Sequence, residues 1–224
     1  PVEPDNPPIR VPFNVTVLRA SDGVAVDPPV RTKSSAVDGS WCLDLPRGEG
    51  PFDLHFQPTT EGFHDTIVLG VRAGSPPDPL NRLYGRAVIG AFAQLSEHEP
   101  SPDAAALLGG IYIVSGGQRV AVVGCATVYI DREPHPAPRF AQRYVGTAGL
   151  AVPFSELAHT EEQRGAFYFG NVPKGKHTLR VSLDGGKTFV AERPFFVALA
   201  RKDTEPPGEG VLYQLSVELD RDVA

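Results

Sequence analysis

The sequence predicts an all-β protein: two tandem antiparallel β-sandwich domains with a short linker helix. Three observations predict it. Apolar and polar residues alternate with a period of two in several runs, FNVTVL and VLYQLSVEL among them, as when strand side chains point to two faces in turn. Proline, with 23 of 224 residues, has about twice its ordinary share and falls between those runs, the punctuation of short strands joined by turns. Finally, one stretch reads as turn, strand, turn, strand, and it recurs in looser form. The stretch is Thr160 to Val181, TEEQRGAFYFGNVPKGKHTLRV, and the looser copy is Val37 to Phe56, VDGSWCLDLPRGEGPFDLHF.

In the first stretch Phe167 and Phe169 fall on one face of a strand, and Leu179 and Val181 on one face of the next. The turn between them is Pro173-Lys174-Gly175, and two such runs are a strand-pair signal. In the copy, Trp41 and Leu43 stand where Phe167 and Phe169 stand, Pro46-Arg47-Gly48 matches the turn, and Phe52 and Leu54 match Leu179 and Val181. One gap is needed. By this alternation Trp41 belongs to the apolar face, in the core, and not to a sugar-stacking surface.

Taken in order, residues 1–10 form a proline-rich arm and residues 11–96 the first domain. Val11 to Leu18 is a half-buried strand, Asp22-Gly23 a turn, His64 to Arg72 another strand, and Leu83 to Leu95 one long or two short strands. Residues 97–110 are the linker. Ser101-Pro102 followed by Ala104 to Leu108 and Gly109 has a capping serine, proline at the first helical position and glycine past the end, which predicts a short helix. Residues 111–224 are the second domain. It runs through a turn at Gly116-Gly117, strands over Arg119 to Ile130, a loop over Asp131 to Arg143, the organising stretch, a hairpin turn at Asp184-Gly185-Gly186, and a last alternating strand over Val211 to Leu219.

Composition narrows the classes of function. The net charge is −6 and neither half carries a basic stripe, so no nucleic-acid partner is expected. No apolar run approaches the length of a membrane span, so no membrane insertion is expected. Two cysteines do not make a disulfide scaffold, and two free thiols are expected. Cys125, inside the apolar run VAVVGCATVYI, reads as a small buried hydrophobe, and Cys42 as facing away from Trp41. With neither a signal segment nor a disulfide framework in view, the cytoplasm is favoured over secretion, although a mature secreted chain would also lack its signal.

The run GCATVYID followed by TEEQRGAFYFGNVPKGKHTLRV resembles the carboxypeptidase regulatory-like domain of the transthyretin-like (prealbumin-like) β-sandwich group, an Ig-like architecture. Gly124, Ala126, Val128, Gly165, Phe167, Phe169, Val172, Pro173, Gly175, Leu179 and Val181 carry it. The resemblance covers most of residues 111–186 and extends weakly, through VDGSWCLDLPRGEGPFDLHF, to the first domain. It implies a sandwich that serves as an accessory, adhesive, sugar-binding or assembly module. It does not extend to the hydroxyisourate hydrolases of that group, which end in Tyr-Arg-Gly-Ser, where this chain ends VLYQLSVELDRDVA. Nor does it extend to the pilin-like branch with Lys–Asn isopeptide bonds, since Phe13–Leu18 and Ala121–Ile130 hold no lysine.

No local motif for catalysis, metal or cofactor is present. The histidines, His55, His64, His98, His135, His159 and His177, show no paired ligand spacing, although His55 and His64 could meet across a hairpin. Ser155 and His159, four apart, fit a turn better than a dyad. The loop after Ile130 combines Arg132, His135, Arg139, Phe140, Arg143 and Tyr144, arginine and aromatic side chains of the kind that anchor interfaces. It reads either as a partner-docking loop or as a solvated connection. The sequence therefore points to a non-catalytic protein-interaction or structural/assembly module, with a protein partner or self-association expected. A carbohydrate-binding module is the first alternative, and an enzyme with its site at the domain junction the second.

Overall fold

The computed structural model describes residues 11–35, 40–46, 50–73, 83–95, 101, 104–131, 142–146, 151–152, 157–162, 165–198 and 211–220. These form 13 strands and one helix. The first half supplies β1 (Phe13–Arg19), β2 (Arg31–Lys33), β3 (Phe52–Pro58), β4 (Thr66–Val71) and the helix α1 (Arg86–Leu95). Then come β5 (Ala104–Ser115), β6 (Gln118–Val122), β7 (Thr127–Ile130), β8 (Gln142–Val145) and β9 (Ala151–Val152). The last are β10 (Ala166–Pro173), β11 (Gly175–Ser182), β12 (Ala191–Val197) and β13 (Leu212–Asp220).

The protein is mostly β, as its alternation predicts, but the strands are not all antiparallel. Ten of them make one sheet in the order β2-β1-β3-β4-β13-β5-β10-β8-β9, with β6 paired to β5. Here β13 runs parallel to both neighbours, Leu212 opposite Thr66 of β4 and Ala106 of β5. The last strand thus lies between strands from the two halves of the chain. Its first four residues are buried on both faces, as a strand between two parallel neighbours must be. The other sheet has three strands in the order β12-β11-β7.

Two local expectations are corrected. The segment expected to be a linker helix is the start of β5, which pairs with β10 on one side and β13 on the other. Capping and helix propensity contribute only about 1 kcal/mol or less per residue, and two ladders with burial on both faces outweigh them. The close approach also demands small residues, because a Cβ at Gly109 would overlap the Phe167 ring and the Leu215 carbonyl. The helix lies instead in the run expected to be strands. Ile89 and Phe92, three apart, share its buried face, and Phe92 stacks on Tyr168 with ring centroids 5.2 Å apart.

Three apolar clusters follow from this arrangement. The largest lies between the two sheets and joins Leu107, Ile111, Phe167, Phe169, Tyr213 and Leu215 to Val128, Ile130, Leu179, Val181 and Phe195. Leu18, Ile67 and Leu69 of the first half belong to it as well. On the opposite face of the large sheet, α1 covers Leu108, Ala166, Tyr168 and Leu212. Beyond it the irregular segment 40–46 covers Val15, Val17, Leu54 and Val68.

The organising stretch forms both expected strands, but they do not pair with each other. β10 pairs with β5 and β8 in the large sheet, and β11 with β12 and β7 in the small one. Pro173-Lys174-Gly175 is a corner that carries the chain from one sheet to the other. Phe167, Phe169 and Val172 thereby join Leu179 and Val181 in the core between the sheets, all fully buried.

Candidate functional site

The strongest surface feature is an aromatic rim at the β1/β3 end of the large sheet. Val15 stands opposite Phe56, so Phe13, Val15 and Phe56 share a face by the strand period. Phe13 is pinned on both sides. Its amide donates to the Ser34 hydroxyl at 3.0 Å and its carbonyl accepts from the Ser34 amide at 2.9 Å. The Thr59 amide and hydroxyl both reach the Pro12 carbonyl next door. A bond from the Ser35 amide to the Ser40 carbonyl, 2.7 Å, closes the chain ahead of Trp41 and delivers the indole to the rim.

The rings of Phe13, Trp41 and Phe56 make a triangle of edge-to-face contacts, with centroids 6.2, 5.3 and 5.5 Å apart. Trp41 is 41% exposed, which corrects the expectation that it sits in the core. The reason is the ladder. β3 is already paired with β1 and β4, and β1 with β2 and β3. Segment 40–46 finds neither edge of β3 open to it, and its alternation does not make it a strand. Leu43 and Leu45 still pack on the apolar face beneath.

Of the loop residues expected to dock a partner, Arg132, His135, Arg139 and Phe140 lie outside the described residues. Arg143 and Tyr144 fall on β8, opposite Tyr168 and Phe167. Tyr144 is fully buried, and its hydroxyl accepts a hydrogen bond from the Val128 amide at 2.9 Å. It is an interior strut between the sheets, not a docking residue, because β7 is an edge strand whose outward amide needs an acceptor.

Two histidine–aspartate pairs were not foreseen. His177 Nδ1 lies 2.6 Å from an Asp131 carboxylate oxygen, and its Nε2 lies 2.8 Å from the Pro173 carbonyl. The other Asp131 oxygen accepts from the Thr178 amide at 2.8 Å. Both ring nitrogens therefore face oxygens of the protein, and the pair fastens the corner at Pro173 to the end of β7. His55 reaches Asp65, 3.1 Å away, and not His64. The only sequence signal for either pair was the position of each aspartate at a strand end.

Cys125 is exposed and has a φ of 57°, which corrects its reading as a buried strand residue. The run VAVVGCATVYI breaks there into β6 and β7, and Thr160 ties the break together. Its carbonyl accepts from the Cys125 amide and its hydroxyl from the Ala126 amide, while that hydroxyl donates to the Val123 carbonyl. Cys42 is exposed, and both thiols are free. His159 is exposed, and Ser155 lies outside the described residues.

Among the described residues, Asp53 is a buried acid. It is 2% exposed on β3, and burial pushes its pKa up to about 6, against the opposing pull of a Gly70 amide bond and the charge of Arg193. Asp53 Oδ1 accepts the Gly70 amide at 2.9 Å where the β3–β4 register shifts. Gly70, with a φ of 71°, also leaves the space that the Arg193 guanidinium from β12 occupies. Gly70 thus sits between the carboxyl that holds its amide and the guanidinium that packs on it from the other sheet. Among the described residues, no group of three or more His, Cys, Asp or Glu is arranged to hold a metal ion, and no helix is long and apolar enough to cross a membrane.

Comparison of the chain with known protein families, curated proteins and solved structures finds no match in any of the three.

Proposed function

We propose that this protein is a non-catalytic interaction or assembly module that meets its partner through the Phe13–Trp41–Phe56 rim. The observation that carries the reading is Trp41 itself: a large aromatic left 41% exposed beside two more rings, on a face whose neighbouring apolar residues are covered. The sheet edges support the same reading by pointing away from strand addition. β2 has three residues, two of them the exposed Arg31 and Lys33, and β12 carries Pro194. β6 is irregular in register at the exposed Val120, β7 has its amide taken by Tyr144, and β9 is two residues long. These are the devices that keep strand edges from pairing with other chains. A partner then has side chains to grip, and the rim offers the largest of them.

Kinship with the carboxypeptidase regulatory-like, transthyretin-like sandwiches remains part of the proposal. The burial of Phe167, Phe169, Val172, Leu179 and Val181 between two sheets supports it, and the parallel placement of β13 in a ten-stranded sheet departs from an all-antiparallel sandwich.

Photo-cross-linking from position 41 of the full chain tests the reading. It is expected to join position 41 to a second copy or another protein far more often than a cross-linker at exposed Lys187. Equal yields at the two positions would contradict it. Carbohydrate binding is the second reading, since an exposed tryptophan is what stacks on sugar rings. The interplanar angles of 78°, 85° and 61° make the rim a set of clefts and not a flat platform, which favours a peptide. Binding of this protein on a glycan array, lost in Trp41→Ala, would reverse that preference.

A further inference from the structure

We propose that the edge of β13 from Leu215 to Asp220 is a strand-addition site for an extended segment of another protein, one in which apolar residues alternate with lysine or arginine. The site is separate from the aromatic rim, and it offers backbone where the rim offers side chains.

The edges described above bound the sheets, but β13 leaves an opening within the large one. β4 lies along β13 only as far as Val68, opposite Gln214. There a bulge turns it away: the β3–β4 register shifts, and Gly70 takes a φ of 71°. Asp53 fixes that turn by accepting the Gly70 amide at 2.9 Å. β13 runs on from Leu215 to Asp220, still paired with β5 on its other side. Among the described residues no strand takes the place that β4 leaves.

Which backbone groups face the opening follows from the strand period. The Leu212 amide donates to the Asp65 carbonyl just ahead of β4, and the Val211 carbonyl accepts from the Ala106 amide of β5. Even-numbered residues of β13 thus turn their amides and carbonyls toward β4, and odd-numbered ones toward β5. Beyond Gln214 the even-numbered residues are Ser216, Glu218 and Asp220, whose backbone groups form a ladder for an added strand.

The side chains beside that edge say what it accepts. Leu215, Val217 and Leu219 are buried in the core between the sheets, so an added strand extends an apolar row on that face. Glu218 and Asp220 are exposed on the other face, where Glu218 already attracts Arg119 of β6 at 2.9 Å. A second copy laid along the whole edge would set Glu218 against the same residue of its partner, and like charges so placed destabilise. A strand with a base opposite each acid is stabilised instead.

A labelled peptide TVKVRVT, blocked at both ends, is titrated into the full chain and followed by fluorescence anisotropy, with TVEVDVT as the control. Saturable binding of the basic peptide is expected, and weaker binding of the acidic one. Glu218→Gln with Asp220→Asn should weaken the basic peptide about tenfold. Ser216→Pro removes one outward amide while leaving the ladder to β5, and is expected to abolish binding with unchanged circular dichroism. The same point is tested without altering the protein by two peptides N-methylated on alternate amides. Only one set of amides faces β13, so one peptide should lose binding and the other keep it; any other outcome would overturn the proposal. No rise in anisotropy at millimolar peptide, or equal binding of TVEVDVT, would overturn it too. Trp41→Ala should leave binding unchanged, which tests this edge apart from the rim; binding lost in that variant would place the peptide on the rim and end the assignment to β13.

Discussion

Residues 160–181 and 37–56 share a pattern of letters and end in different structures. In the first, Phe167 and Phe169 lie on a strand held between β5 and β8 and are fully buried. In the second, Trp41 and Leu43 occupy the same pattern positions on a segment that forms no strand, and Trp41 is half-exposed. The later part of each repeat does form a strand, β11 and β3 respectively. Alternation therefore offers a strand, and an open ladder decides whether the offer is taken. Where β1, β3 and β4 had already closed the ladder, the same pattern became a cover for one face and a rim at its end. The difference between the regions is also a difference in use: one is buried packing, the other leaves an aromatic surface.

The sharpest way to break the comparison is truncation at matched positions. Phe167→Ala is expected to cost about 3–5 kcal/mol, from lost burial and the cavity left between the sheets, read as a lower denaturation midpoint. Trp41→Ala, at the equivalent pattern position, should cost about 1 kcal/mol or less, since the indole is half in water already. Equal losses would mean that both regions are packed alike.

Asp53 lies in the second region and gives it a pH signature. Its folded pKa of about 6 stands above the ordinary 3.8, so the folded state holds the proton more tightly than the unfolded one. The contribution to stability is therefore full below about pH 4 and is lost as pH rises through about 6, by about 3 kcal/mol in all. Asp53→Asn still offers an oxygen to the Gly70 amide and does not ionise. The difference between the two proteins' stability curves should grow across that window, and parallel curves would show the carboxyl to be solvated.

Thr160 opens the first region, and there the prediction is smaller. Thr160→Val keeps the shape but leaves the Val123 carbonyl and the Ala126 amide without their hydroxyl, for an expected loss of about 1–3 kcal/mol in denaturant unfolding. A neutral outcome would mean the break at Cys125 does not need that clasp.

Much of the fold was legible because its signals were local. The alternation of FNVTVL and LYQLSVEL pointed to β1 and β13, and the apolar run TIVLGV to β4, each within a residue or two, and Gly116-Gly117 and Asp184-Gly185-Gly186 marked real turns. What was not legible depended on distant partners. AAALLGG carries helix-cap letters, yet it is a strand because β10 and β13 flank it. The parallel placement of β13 follows from where the chain returns after residue 210, which no pattern within β13 records. In α1 the pair Ile89 and Phe92 held the helical period, but in a run too short and too uniformly apolar to separate it from a strand. At the candidate site, Trp41 was visible and its exposure was not, since exposure depends on a ladder closed by residues 13–19 and 66–71. Tyr144 was misplaced for the mirror-image reason: a residue beside a polar loop, drawn inward by one amide of β7.

The lone tryptophan makes the central claim, that the second region is a rim and not a repeat, directly measurable. Acrylamide quenching of Trp41 fluorescence in the folded protein, at concentrations low enough to keep copies apart, should proceed at roughly half the rate seen in the unfolded chain, as its 41% exposure implies. Quenching suppressed to the level of a core indole would contradict the account, placing Trp41 in the interior where Phe167 lies and making the two regions true copies.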